Sequence, residues 1–303
     1  MTSLPKNSSV RPCLSPRTKV TPPNFDMPEG SWDTHFHILG PQCYFPYADN
    51  RKYTPPDASV EQYRELQRAL GLAGGWVVHA NTHGFDNRVD LDAVMQLGSD
   101  AHVAVVRVDA SLNAAQIAAW HDQGVRGVRF AFNPQHGGEL DKVLLEQTVG
   151  FVRPYGWFIE LHMAPNDLVT LRPWLTELNI PLVIDHMGRI DVELGTDQPA
   201  FIAMLDLLHT CDAWVKLSGF DRLTRKGPPY LDVLPFAQYL MRVAPERMLW
   251  GSDWPHTGIF DPSQMPNDGD LLNLIPAYAP SDALRRILLV DNPRRLVGIG
   301  ITT

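Results

Sequence analysis

His35 and His37 stand one residue apart in W-D-T-H-F-H-I-L-G, residues 32–40. A strand sends residues i and i+2 to the same face, so both imidazoles point one way. Such a pair either hydrogen-bonds within a core or offers two neutral nitrogens to a divalent ion. Three other apolar runs end in groups that complete the second option. W-F-I-E-L-H-M carries His162, P-L-V-I-D-H-M carries His186 and R-M-L-W-G-S-D-W carries Asp253. Alternation is expected to put Leu182, Ile184 and His186 on one face, and Leu249, Gly251 and Asp253 on another. Imidazoles with one carboxylate suit zinc, which in a catalytic site keeps a position open for water and lowers its pKa to about 7. The expected ligands are His35, His37, His162 and Asp253. Asp253 binds the metal, takes the water's proton, or does both in turn.

Such groups meet only if their strand ends meet. Eight apolar runs qualify as strands: S-W-D-T-H-F-H-I, G-W-V-V-H-A, H-V-A-V-V-R-V, G-V-R-F-A-F, W-F-I-E-L-H-M, P-L-V-I-D-H-M, A-W-V-K-L-S and R-M-L-W-G-S-D-W. Helical patterns separate them. One follows Ser59 as a cap and ends at Gly71, and two others begin at asparagines, Asn113 and Asn166, with Pro173 expected to kink or shorten the latter. Repeated βα units predict an α/β fold, a single (β/α)8 TIM-type barrel over residues 29–303, whose C-terminal strand ends surround the active site. A doubly wound sheet would place a glycine-rich phosphate turn after the first strand, where His-Phe-His stands instead. Residues 1–28, with Pro5, Pro12 and Pro16, are expected to be a flexible tail or a surface arm. The connection over 39–58, rich in Tyr, Pro and Asp, is a candidate lid.

The chain has 303 residues, a net charge of −8 and 44% hydrophobic residues. Thinly spread Lys and Arg exclude a nucleic-acid surface, while local arginines remain free to hold a small anion. Three scattered cysteines, Cys13, Cys43 and Cys211, lack CxxC spacing and point to a reducing, cytoplasmic setting. No secretory h-region and no apolar run near the ~20 residues of a membrane span is present. No heptad seam speaks to oligomeric state.

D-T-H-F-H, I-D-H-M-G-R (184–189) and W-G-S-D-W-P-H (250–256) resemble the amidohydrolase superfamily, and within it the branch of 2-pyrone-4,6-dicarboxylate lactonases and related lactone hydrolases. T-H-G-F-D-N (82–87), G-V-R-G-V-R-F (124–130), V-K-L-S-G-F-D-R (215–222) and N-P-R-R-L (292–296) extend the likeness. The resemblance implies a metal or catalytic set of His35, His37, His186 and Asp253. It implies carboxylate-gripping arginines at Arg129, Arg189 and Arg222 and a substrate-facing Tyr53, with His83 as a substrate contact or a support. The departures are informative. Strand 4 offers Arg129, Ala131 and Asn133 rather than the lysine or glutamate of a two-metal centre, so a single zinc ion is implied. Pro134 and Gln135 replace an arginine of the dicarboxylate lactonases, and Leu161–His162 replaces their tyrosine. Some of those lactonases work without metal, so His162 is expected to mark a metal-holding relative.

The implied reaction is hydrolysis of a small anionic lactone in aromatic-compound catabolism. Asp253 is the base towards water, and the histidines, with or without zinc, polarise the carbonyl. His186 hydrogen-bonds the oxyanion or shuttles the proton. Arginine forks clamp the anion. With one clamp fewer, the favoured substrate is 4-sulfomuconolactone, opening to maleylacetate and sulfite. The dicarboxylate lactone is the alternative, and a lactone isomerase or decarboxylase is the alternative of another class. Trp254 is a candidate pocket wall and Trp250 a packing residue. His256 either orients Asp253 or caps its loop. The direction of Lys216 is open.

Overall fold

The computed structural model describes residues 10–132 and 138–300. Asn133, Pro134 and Gln135 lie outside the described residues. Eight strands form: β1 (Trp32–Phe36), β2 (Gly74–Val78), β3 (His102–Val106), β4 (Val125–Ala131), β5 (Phe158–His162), β6 (Leu182–Ile184), β7 (Ala213–Leu217) and β8 (Met248–Trp250). Each pairs in parallel with the next along the chain. Between β8 and β1 the barrel is closed by stitches rather than a regular ladder. Thr34 Oγ1 donates to the Trp250 carbonyl at 2.8 Å. Asp253 N donates to His35 O at 2.9 Å, and His37 N to Trp254 O at 2.8 Å. The expected (β/α)8 barrel is therefore what the chain forms, and its seam holds the first histidine pair beside Asp253.

The helices follow local chemistry. α1 (Val60–Leu70) starts with a capping box in which Ser59 accepts from Gln62 N, and stops at Gly71 with φ 71°. After α2 (Arg88–Leu97), α3 (Ala114–Asp122) is capped by Asn113 as expected. α4 (Lys142–Val152) precedes α5 (Pro165–Glu177). Asn166 does not cap α5: Pro165 opens it, and the Asp167 carboxylate accepts from Ala164 N at 2.8 Å. The helix runs through Pro173 to Glu177.

Strand parity separates two cores. Val77, Ala104, Val128, Ile159, Ile184 and Val215 pack outward under the helices, while Trp76, Val103, Phe158, Val183, Trp214 and Leu249 fill the barrel. The expected face of β6 is thus corrected. Val183, not Leu182 and Ile184, points inward, and one step of register inverts a strand's faces.

Of the two forms expected for the N-terminal segment, tail or surface arm, residues 10–28 take the second. Residues 10–28 run as an arm along the barrel: Cys13 N bonds Thr54 O at 3.0 Å, Leu14 N bonds Ile259 O at 2.9 Å and Thr21 N bonds Asn267 Oδ1 at 2.9 Å. Residues 1–9 lie outside the described residues. The 39–58 connection is closed at its base by paired backbone bonds between Leu39 and Ala58. Ala48 N pins it to Thr82 O at 2.8 Å.

Candidate active site

Beneath the rim the barrel is charged. Inward positions of β4 to β7 and the turn after β6 bring Arg129, Glu160, Asp185 and Lys216 together, all buried. Lys216 Nζ bonds Glu160 Oε2 and lies 3.4 Å from Asp185 Oδ1. Arg129 donates to Asp185 Oδ2 from Nε (3.1 Å) and from a terminal nitrogen (2.9 Å), and to the His79 carbonyl at 3.1 Å. Burial and the nearby Asp185 push Glu160 up to about 8. Burial opposes ionisation of Asp185, but Lys216, His35 and Arg129 outweigh it and hold its carboxyl well below the usual range. Sequence reasoning missed Glu160 and Asp185 and left Lys216 open. The available signal was a charge inside each apolar run, at the parity of an inward Phe158, Val183 or Trp214.

His35 connects this floor to the rim. Its Nδ1 is 3.0 Å from Lys216 Nζ and 3.2 Å from Asp185 Oδ1. Its Nε2 is a buried nitrogen with no hydrogen-bond partner, 3.6 Å from Asp253 Oδ1. Gly251 makes room for it, since a Cβ there would stand 2.5 Å from His35 Cβ. His37 Nδ1 donates to Val78 O at 2.6 Å, which leaves the Nε2 lone pair facing Asp253 Oδ1 at 3.6 Å. His186 Nδ1 bonds Ser218 Oγ at 2.9 Å, and its Nε2 is 3.8 Å from Asp253 Oδ1. A Cβ on Gly219 would come within 2.7 Å of that Nδ1. Three imidazole nitrogens therefore converge on one carboxylate oxygen beyond hydrogen-bond distance.

The turn that delivers His186 is unusual. His186, Met187, Gly188 and Arg189 all have positive φ, between 47° and 64°, as does Asp253 at 64°. Each non-glycine residue in that region costs of order 1 kcal/mol, and such strain gathers at functional sites. His186 thus reaches the rim by leaving the strand, not by continuing its alternation.

Burial pushes the His186 imidazole down to about 4, and burial with the Lys216 charge holds His35 well below the usual histidine range. Both rings are neutral near neutral pH. For Asp253 burial opposes ionisation, but His186 and Arg222 outweigh it and keep the carboxyl well below its ordinary value. The orphaned His35 Nε2, the His37 lone pair and the ionised Asp253 fit one divalent cation. Their donor atoms lie within 4.8 Å of one another, and tetrahedral zinc with bonds of about 2.0–2.1 Å separates its ligand atoms by roughly 3.3 Å. His162 is not in this converging group. Its ring stands 6.0 Å from that of His186, on the cavity wall, which narrows the ligand set expected from the sequence.

Above lies a cavity of about 250 Å³ lined by His37, Tyr53, Arg129, His162, His186, Arg189, Arg222 and Asp253. Arg222 donates to Asp253 Oδ2 at 3.3 Å and to Thr257 O at 3.0 Å, and pairs with Asp221 at 3.1 Å. Burial and the Arg222 charge lower Arg189 to about 10. Among the described residues Arg189 has no carboxylate partner. Tyr53 Oη shares a 2.7 Å hydrogen bond with Thr257 Oγ1. Arg129 reaches the cavity edge, but its donors are committed below. His83 faces an adjoining cavity instead. Of the remaining histidines, His79 bonds Asp90 at 2.6 Å and His256 bonds Asp268 at 3.0 Å, so His256 serves its own loop. Trp254 packs near Tyr63, ring to ring at 5.6 Å, and Trp250 joins the outer core. Neither lines this cavity.

Comparison with known proteins identifies the family. The chain is 48% identical over 287 residues to a 4-sulfomuconolactone hydrolase of Hydrogenophaga intermedia, covering 94% of each chain. It is 40% identical to a 2-pyrone-4,6-dicarboxylate hydrolase of Comamonas testosteroni, over 90% of this chain and 92% of that one. The apo crystal structure of an Agrobacterium tumefaciens protein superposes with a TM-score of 0.82 at 29% identity, over 92% of this chain and 99% of that chain. The amidohydrolase family model matches residues 32–299, nearly the whole barrel, and the chain belongs to that family.

Proposed function

We propose that this protein hydrolyses a small anionic lactone, with 4-sulfomuconolactone the favoured substrate. The observation that carries the reading is the ionised Asp253, faced by three histidines, at the base of a cavity whose wall presents the unpaired Arg189. The sulfonate substrate is favoured by the likeness to the Hydrogenophaga enzyme.

A zinc ion held by His35, His37 and Asp253 would supply Lewis acidity and lower the pKa of a bound water. Asp253 accepts the proton of the attacking water; Arg222 orients its other oxygen and keeps it ionised. Water oxygen bonds to the acyl carbon and the ring C–O bond breaks. His186, fixed through Ser218, offers Nε2 to the oxyanion or carries the proton to the departing ring oxygen. Where that ring oxygen and a sulfonate share one carbon, collapse to the carbonyl expels sulfite. Arg189 grips the anionic substituent, with Tyr53 and Arg222 beside it. His162 walls the pocket, and Arg129 acts chiefly through the floor. Among the described residues no helix is long and apolar enough to cross a membrane, which accords with a cytoplasmic enzyme.

The dicarboxylate lactone is the second substrate reading, supported by the likeness to the Comamonas enzyme. An isomerase or a decarboxylase on the same barrel would retain the histidines and Asp253 without consuming water. A panel of sulfonate-bearing muconolactone, pyrone dicarboxylate and aldonolactone tests the reading. The sulfonate-bearing ring is expected to give the highest kcat/KM, and Asp253→Asn to lower kcat by about 10²–10⁴-fold. No turnover of any lactone by the metal-loaded protein would overturn it.

A further inference from the structure

A second cavity of about 800 Å³ adjoins the first and shares Lys52, Tyr53 and Asn81 with it. Its wall carries polar groups without a protein partner among the described residues. Arg107 is half-buried and fixed through its backbone, where Asn87 both accepts from its N at 2.8 Å and donates to its O at 2.7 Å. Among the described residues the guanidinium makes one hydrogen bond, to Gly84 O at 3.3 Å, and it lies 4.6 Å from the Phe85 ring. Among the described residues no carboxylate pairs with it. Asp86, on the same wall, is spent on Arg88 through bonds of 2.8 and 2.5 Å, and Glu139, the other lining carboxylate, is exposed. His83 is 3% exposed; its Nδ1 donates to Pro46 O at 3.2 Å, and its Nε2 is left without a partner. Thr82, 2% exposed, has an equally unpartnered hydroxyl.

Buried polar groups left without partners are costly, and a half-buried guanidinium without a counter-ion calls for an anion. Burial holds His83 below the usual histidine range, so its Nε2 is an acceptor and seeks a donor. The complement of this wall is an anion that also carries a hydroxyl. Lactone hydrolysis generates that pair: opening adds a carboxylate, and the freed ring oxygen carries a proton as a hydroxyl or, once sulfite has left, as the enol of the new ketone.

We propose that this cavity is a product subsite, in which Arg107 and Lys52 take the carboxylate of the ring-opened acid while His83 Nε2 accepts its hydroxyl or enol proton. The proposal rests on the lactone-hydrolase reading for the origin of the ligand, but its binding test does not need turnover.

The probes are malate, a hydroxy-dicarboxylate, and succinate, its counterpart without the hydroxyl, titrated calorimetrically into the wild-type protein. Malate is expected to bind at least threefold more tightly than succinate. Arg107→Gln should weaken both at least tenfold, Arg107→Lys should recover most of that loss, and His83→Phe should erase the preference for malate. In turnover, Arg107→Gln should raise the inhibition constant of the opened acid at least tenfold with KM for the lactone within threefold. Unchanged malate binding in a folded Arg107→Gln protein would overturn the proposal, as would equal rises in KM and the inhibition constant. Malate discrimination without lactone turnover would sustain the subsite and fail the function reading alone.

Discussion

The barrel carries two groups of charges a few ångströms apart, and they are arranged on opposite principles. In the floor, Arg129 and Lys216 are buried and held by close contacts to Asp185 and Glu160. At the rim, Arg222 is tied to Asp253 and Asp221, whereas Arg189 has no carboxylate of its own among the described residues. A charge removed from water needs a partner within the protein or from a ligand. The floor has its partners already and positions His35. The rim is completed by what binds there.

Lys216→Met separates the two principles most strongly. It leaves Asp185 and Glu160 without their ammonium, and breaking a buried pair costs about 3–5 kcal/mol. The chemical-denaturation midpoint should fall sharply; a variant as stable as wild type would show that the floor is not a paired structure. Arg189→Gln should do the reverse. Its stability should stay within about 0.5 kcal/mol, while kcat/KM for an anionic lactone drops about 10–100-fold, as expected for losing one charge-assisted contact. An equal loss with an uncharged lactone would contradict the assignment.

The histidines predict a pH effect on the metal-free protein. The folded pKa of His186 lies near 4, below the ordinary 6.5, so the unfolded chain binds the proton that the folded chain refuses. Stability is full above about 6.5 and falls as pH drops towards 4, by up to about 1.4 kcal/mol per pH unit from this ring. Urea midpoints across that window should show the decline, and His186→Gln should flatten it. The smallest effect is Ser218→Ala, about 1 kcal/mol, with a broader pH–rate profile because the His186 ring is no longer held at Nδ1.

Much of this was legible in the chain. Eight apolar runs became eight strands, and His35, His37, His186 and Asp253 meet as their placement at strand ends implied. The floor was harder to see. Glu160, Asp185 and Lys216 become partners only when β5 to β7 curve into a closed barrel, and no pair of them is near in sequence. The parity of β6 failed for a related reason. His186 was assigned the face of Ile184, but four left-handed residues turn it back over the rim, and local alternation carries no trace of such a turn. Local sequence does not decide between a tail and an arm over residues 10–28, because the arm's bonds go to Thr54, Ile259 and Asn267, far along the chain.

In the proposed reaction Asp253 and its histidines direct water onto a lactone carbonyl. Turnover of a sulfonate-bearing muconolactone in ¹⁸O-labelled water, followed by mass spectrometry of the opened acid, tests it most directly. One labelled oxygen is expected in the newly formed carboxylate for each ring opened. Product formed at the same rate with no label would contradict it, and would assign the site to an isomerisation or elimination that consumes no water.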